Sequence, residues 1–151
     1  MKYLLDTCLL SELAKKEPHP GVIQWLDHCD ESRLYLSVLT LGEIMKGIAK
    51  LPDGDKKERL QSWISNDLAI RFGHRILDVD LEVAWAWGLL LGEAEKRGEK
   101  LPVVDSLIAI TANVHNLIVV TRNVDDMARC QAKVFNPWVS QMVELENGRE
   151  R

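Results

Sequence analysis

Paired metal-binding residues, long apolar runs and surplus positive charge are all missing from this 151-residue chain. Its three cysteines, Cys8, Cys29 and Cys130, are widely spaced and form no CxxC pair. An odd, scattered set argues against a disulfide framework and a cysteine zinc site, and fits reduced thiols in a cytosol. The four histidines, His19, His28, His74 and His115, offer no HxH or HxxxH pair. A histidine metal centre is therefore not expected. No stretch approaches the ~20 apolar residues of a membrane span. Near the start, Lys2 is followed by only a short apolar run that Asp6 breaks, so neither a signal peptide nor a membrane association is expected, and the expected location is the cytoplasm. Lys and Arg number 19 against 23 Asp and Glu, a formal net charge of −4. Proteins that coat nucleic acid are usually basic. An acidic chain can still act on nucleic acid when a metal ion bridges its carboxylates to phosphate, so the charge balance weighs against a coating role more than against a nuclease.

What is present is an ordinary globular composition, 46% hydrophobic and 28% charged, in a length that suits one domain with a sizeable core. No repeat, low-complexity tract or linker interrupts it. The expected domain is 1–138, followed by a loose tail over 139–151 that includes "ENGRER". Strand signals are short and continuous rather than alternating: Tyr3–Leu5, Leu34–Leu36, Arg75–Leu77, Ile118–Val120 and, more weakly, Lys133–Phe135. Continuous apolar strands point to a sheet covered on both faces. Between them, helical spacing covers Ser11–Lys16, Pro20 to about Cys29, Thr40–Leu51, Lys56–Ile70, Asp80–Lys96 and Pro102–His115. Strands alternating with helices predict an α/β fold with a mainly parallel central sheet.

Parallel α/β sheets bind ligands beyond the carboxyl ends of their strands. The first strand, Tyr3-Leu4-Leu5, stops at Asp6, which is such an end. Glu43 falls at the start of the helix after Leu34–Leu36, Asp105 in the first turn of the Pro102 helix, and Asp125 and Asp126 just after Ile118–Val120. Each acid has a plain structural alternative. Asp6 suits a turn. Thr40-x-x-Glu43 reads as a capping box, with Glu43 bonding back to the cap. Asp105 favours the positive end of a helix dipole, and Asp125 and Asp126 suit a solvated loop. Gathered together, however, such carboxylates would repel one another unless a positive group sat between them. Oxygen-only ligands suit Mg²⁺ or Mn²⁺, ions that activate water and hold phosphoryl oxygens.

The segments "YLLDTCLLSEL", "YLSVLTLGEIMKGI", "LPVVDSLIAITANVHNLIVVTRNVDDM" and "VFNPW" resemble, in the same order, those of PIN-domain ribonucleases, specifically the VapC-type toxins of type II toxin–antitoxin pairs. The resemblance spans Tyr3 to Trp138. It implies a three-layer α/β/α sandwich, a Mg²⁺- or Mn²⁺-dependent endoribonuclease, and Asp6, Glu43 and Asp105 as catalytic, metal-holding acids. It also implies a homodimer and a VapB-like antitoxin that plugs the acidic pocket with a basic residue. Operator DNA is then bound only through that antitoxin, while the substrate is RNA, with tRNA or ribosomal RNA the expected class. Two positions depart from the family pattern. Cys8 stands where the family usually has Asn, and Asn123 stands where many relatives carry a fourth acid. Asn123, Asp126 and Thr121 are therefore expected as neighbours of the site. Lys46 and Arg122 are candidate phosphate contacts, or simply solvated charges. Competing readings are a non-catalytic PIN-fold binding module and a DNA-directed metal nuclease. A dehalogenase-type phosphatase is disfavoured because it needs a second Asp where Cys8 stands.

Overall fold

A computed structural model describes residues 1–139. The expected tail therefore lies outside the described residues from residue 140 onward. Five strands, β1 (Tyr3–Leu5), β2 (Leu34–Ser37), β3 (Ile76–Leu77), β4 (Ile118–Val120) and β5 (Val134–Phe135), form one sheet in the order β3-β2-β1-β4-β5. Every pairing is parallel, so the sheet is parallel throughout and not just mainly so. The register sets Tyr3 against Leu34 on one side and Ile118 on the other.

The pleat divides each strand between two apolar clusters. Tyr3 and Leu5 of β1, Leu34 and Leu36 of β2, and Val120 of β4 face one side. Leu4 and Val119 face the other. The first face is covered by α1 (Thr7–Leu13), α2 (Pro20–Asp27), α3 (Val38–Ala49), α4 (Asp55–Ser62) and α5 (Ala69–Phe72), with Leu9, Leu10, Trp25, Ile44, Ile48 and Phe72 buried against it. The second is covered by α6 (Leu81–Lys96), α7 (Val103–Val114) and α8 (Val124–Arg129), through residues such as Val83, Ile108 and Met127. This is the three-layer α/β/α sandwich.

Local chemistry explains where several elements start. Asp6 caps α1 by accepting from the Thr7 N–H at 2.8 Å. That cap moves the helix forward from the expected Ser11–Lys16. Asp80 caps α6 through the Val83 N–H at 3.0 Å. The His19 ring accepts from the Gly21 N–H at 3.0 Å, with Pro20 in the first turn of α2. A Cβ at Gly21 would meet the Pro137 carbonyl oxygen at 2.6 Å, so α2 and the chain after β5 touch only because residue 21 is glycine.

Four expectations are corrected. Ser37, not Thr40, caps α3 by accepting from the Leu39 N–H at 3.1 Å. No capping box therefore forms, and Glu43 lies in the second turn, free to point elsewhere. The helix expected over Lys56–Ile70 is continuous in path but passes through a wider π-helical stretch, Trp63–Leu68, between α4 and α5, which brings Ile64 and Leu68 into the core. Arg75 is not part of a strand; its guanidinium is buried and donates to the carbonyls of Glu31, Leu34 and Arg71. Finally, the loop read around Asp125 and Asp126 is α8, which buries Met127.

The Thr40 hydroxyl is fully buried and has no hydrogen-bond partner among the described residues. Thr40→Val should leave the unfolding free energy unchanged or raise it by up to about 1 kcal/mol in urea denaturation. Ser37→Ala should lower it by about 1 kcal/mol. A loss of that size for Thr40→Val instead would return the capping role to Thr40.

Candidate active site

Strand order locates the site before any side chain is considered. From β1 the chain adds β2 and β3 outward on one side, then crosses to add β4 and β5 on the other. The carboxyl ends of β1 and β4 thus flank the point where the winding reverses, where a crevice opens in such folds. Asp6 ends β1 and Thr121 ends β4. They are tied by backbone and side chain: the Asp6 N–H donates to the Val120 carbonyl at 3.0 Å, and the Thr121 hydroxyl donates to the second Asp6 carboxylate oxygen at 2.8 Å. Asp6 is only 5% exposed and Thr121 is fully buried.

The other two acids arrive from opposite layers. Glu43 projects from α3 and accepts a short 2.5 Å hydrogen bond from the Thr7 hydroxyl, the residue next to Asp6. Asp105 stands in the first turn of α7 and accepts from the Asn123 side-chain amide at 3.2 Å. Each acid is therefore held by an uncharged donor from a neighbouring element: Thr121 on Asp6, Thr7 on Glu43, Asn123 on Asp105. Asn123 adds a second tie, because its backbone N–H donates to the Thr121 hydroxyl oxygen at 2.9 Å.

Cys8 fills the gap between these groups. Its sulfur lies 3.5 Å from the Thr121 hydroxyl and 3.9 Å from Asp6, and accepts from the Arg122 backbone N–H at 3.4 Å. A sulfur is a weak acceptor, yet here it links the turn after β1 to the turn after β4, so the departure from Asn leaves that link in place.

The electrostatics are one-sided. Burial pushes the Asp6 carboxyl above the ordinary carboxylate range; the bonds from Thr121 and Thr7 oppose this, and the charges of Asp105 and Glu43 add to it. Asp105 is also raised, first by burial and then by repulsion from Asp126 and Glu43. The three acids are thus near enough to repel one another, and no cation among the described residues offsets them. Asp126 is close enough to act on Asp105, but its own partner is Arg129 at 3.1 Å. Lys46 is exposed on α3, and Arg122 is exposed with its guanidinium 5.0 Å over the Trp138 ring. Neither forms an ion pair with the acids. Among the described residues, no three His, Cys, Asp or Glu side chains are gathered closely enough to hold a metal ion.

Sequence reading placed the three acids and Thr121, Asn123 and Asp126 in one neighbourhood, and the structure brings all six there. It did not assign the Thr7 hydroxyl. The signal was the Asp-Thr doublet at a strand end, where the second residue must begin a helix and can turn toward α3.

A parallel α/β sandwich with acids at its switch point is the arrangement to set beside known proteins. The PIN domain family matches residues 3–133, and the chain belongs to that family. It is 35% identical over 135 residues to the toxin FitB of Neisseria gonorrhoeae, covering 89% of this chain and 97% of that one. It is 31% identical over 135 residues to the VapC ribonuclease Y4jK of Sinorhizobium fredii, covering 89% and 96%. Among solved structures, FitAB bound to an IR36 DNA fragment superposes with a TM-score of 0.85 at 33% identity, covering 92% and 97% of the two chains. VapBC2 of Rickettsia felis, bound to a DNA fragment from its promoter, superposes with a TM-score of 0.71 at 26% identity, covering 90% and 98%.

The raised Asp6 carboxyl has a consequence for stability. The folded protein binds that proton more tightly than the unfolded chain, so stability is lost as pH rises from the ordinary carboxylate value through the raised one, and the cost is complete above it. Without divalent ions, Asp6→Asn should therefore melt a few degrees higher than wild type at pH 7, and the gap should close as the pH falls toward 4. A lower melting temperature at pH 7 would show that the Asp6 charge supports the fold.

Proposed function

We propose that this chain is an endoribonuclease toxin of a toxin–antitoxin pair, and that Asp6, Glu43 and Asp105 hold a Mg²⁺ or Mn²⁺ ion at its active site. The observation that carries this reading is the uncompensated acid cluster at the β1–β4 switch point. Three carboxylates from three elements lie near enough to repel one another, two of them with raised affinity for protons, and among the described residues no positive side chain offsets them. Such a cluster is stabilised by whatever brings positive charge to it. The donor set is carboxylate oxygens with neutral hydroxyl and amide groups behind them, which suits a hard divalent ion and not a soft one. The ribonuclease and toxin names of relatives that cover nearly the full chain support the same function.

Bound there, the ion supplies an activated water at neutral pH and positive charge for the phosphate of the bond to be cut. The chain's own groups orient the site. Thr121 fixes one oxygen of Asp6 and the Thr7 N–H the other. Thr7 and Asn123 hold Glu43 and Asp105 by single hydrogen bonds that release at modest cost. No histidine takes part in the hydrogen bonds of this site, so its titratable groups are the acids themselves.

Partners follow from the same charge. A VapB-like antitoxin that inserts a basic side chain would offset the acids and block the ion, and operator DNA would be bound through that antitoxin. FitAB and VapBC2 on DNA are the precedents among similar structures. A homodimer has a surface available on α6, where Leu81, Trp85 and Leu89 are exposed at helical spacing. The RNA substrate is tRNA or ribosomal RNA, whose cleavage would stop translation.

Purified protein freed of antitoxin should cut total tRNA or ribosomal RNA into discrete fragments with Mg²⁺ or Mn²⁺. EDTA should abolish the cutting, and Asp6→Asn or Asp105→Asn should reduce it by about a thousandfold or more. Divalent-ion titration by calorimetry should show binding to wild type and not to Asp6→Asn. Absence of both cleavage and ion binding would overturn the reading in favour of a non-catalytic module. Cleavage of DNA in place of RNA would overturn the substrate.

A further inference from the structure

Outside the acid cluster, one buried carboxylate remains unexplained. Glu12 on α1 is 4% exposed and is held by three donors: the Trp138 indole N–H at 3.1 Å, the Lys15 ammonium at 3.1 Å and the His19 backbone N–H at 3.2 Å. The indole bond is the largest influence holding this carboxyl below the usual carboxylate range. Trp138 is fixed a second way, its own N–H donating to the Asn136 side chain at 2.9 Å. An indole pinned at its N–H and by its backbone presents a fixed ring face. The Arg122 guanidinium lies over that face, 5.0 Å from the ring.

Arg122 is the residue after Thr121, and its backbone N–H is tied to the Cys8 sulfur beside Asp6. It is exposed, and among the described residues it makes no ion pair. Neither Asp6 nor Asp105 forms an ion pair with it. A guanidinium stacked on an aromatic ring keeps its N–H fork open, and that fork matches two phosphate oxygens. An arginine with a floor, one backbone step from the active site and without a carboxylate partner, is built to receive an anion.

We propose that Arg122 binds a phosphate of the RNA strand flanking the bond to be cut, and that Trp138, anchored by Glu12, is the positioning residue that holds it there. This rests on the ribonuclease reading above. RNA that threads the site then spans two features: the acid cluster, which needs a cation, and a separate fixed cation one step away. The arrangement also gives an acidic protein a local positive contact without a basic surface.

The test compares wild type, Arg122→Ala, Trp138→Leu, Trp138→Phe and the Arg122→Ala/Trp138→Leu double variant, by steady-state cleavage of tRNA at several salt concentrations. Melting curves run alongside. Arg122→Ala should raise KM about tenfold with kcat within about threefold, and should flatten the salt dependence of log(1/KM) by about 0.7, the value of one single-strand phosphate. Trp138→Leu should raise KM in the wild-type background and add nothing in the Arg122→Ala background. Trp138→Phe, which keeps a ring face but loses the bond to Glu12, should recover only part of the loss. If Trp138→Leu fails to fold, the Phe variant and the Arg122→Ala salt slope still decide. An active wild type with unchanged KM and salt slope for Arg122→Ala would overturn this proposal alone. A wild type that cleaves no RNA would overturn both it and the ribonuclease reading.

Discussion

The hydrogen bond from Thr121 to Asp6 is the contact on which the rest of the site depends. It spans 115 residues of sequence and joins the carboxyl ends of the two strands that flank the winding reversal. A carboxylate this deeply buried is costly unless donors face it. Thr121 and the Thr7 N–H supply them, and each is itself committed elsewhere, Thr121 to Asn123 and Thr7 to Glu43. Moving β4 against β1 would therefore disturb all three acids together. The sheet register that places Leu5 opposite Val120 is what holds the chemistry in line.

Around that bond the protein tolerates an electrostatic imbalance that a purely structural site would avoid. Acids from α3, α7 and the end of β1 repel, and the groups that hold them are neutral. Stability is given up for a strong preference for positive charge, which is the usual relation between a functional site and its fold. Such a negative field would favour any positive charge brought to it, an ion and a basic side chain alike.

A second set of contacts closes the molecule at its C-terminal edge. Gly21 lets the Pro137 carbonyl approach α2, Trp138 reaches back 126 residues to Glu12, and Trp25 stacks at a tilt 5.5 Å from Phe135. The short β5 is an edge strand of two residues, too brief to be held by its ladder alone, so these side-chain contacts fix the segment that carries the Arg122 floor. The "VFNPW" stretch thereby couples an edge of the sheet to the mouth of the site.

Much of this was legible in the sequence, because burial has a period. Continuous apolar triplets between amphipathic runs identify parallel strands covered on both faces, and the strands appear within one or two residues of where the pattern puts them. Acids at strand ends and helix starts mark the site for the same local reason. What the pattern missed depends on partners that are near in space only. Ser37 outcompeted Thr40 as the cap of α3, freeing Glu43 to meet Thr7; the wide turn at Trp63–Leu68 serves core packing; and α8 buries Met127 against the second face of the sheet. By itself the sequence determined the fold class and marked the three acids as candidates for the site. Only the tertiary structure decided which neutral group holds each acid, that no cation of the described residues sits among them, and that Glu12 serves Trp138. Those pairings join residues up to 126 positions apart, and strand order, which no local periodicity encodes, is what brings them within hydrogen-bond distance.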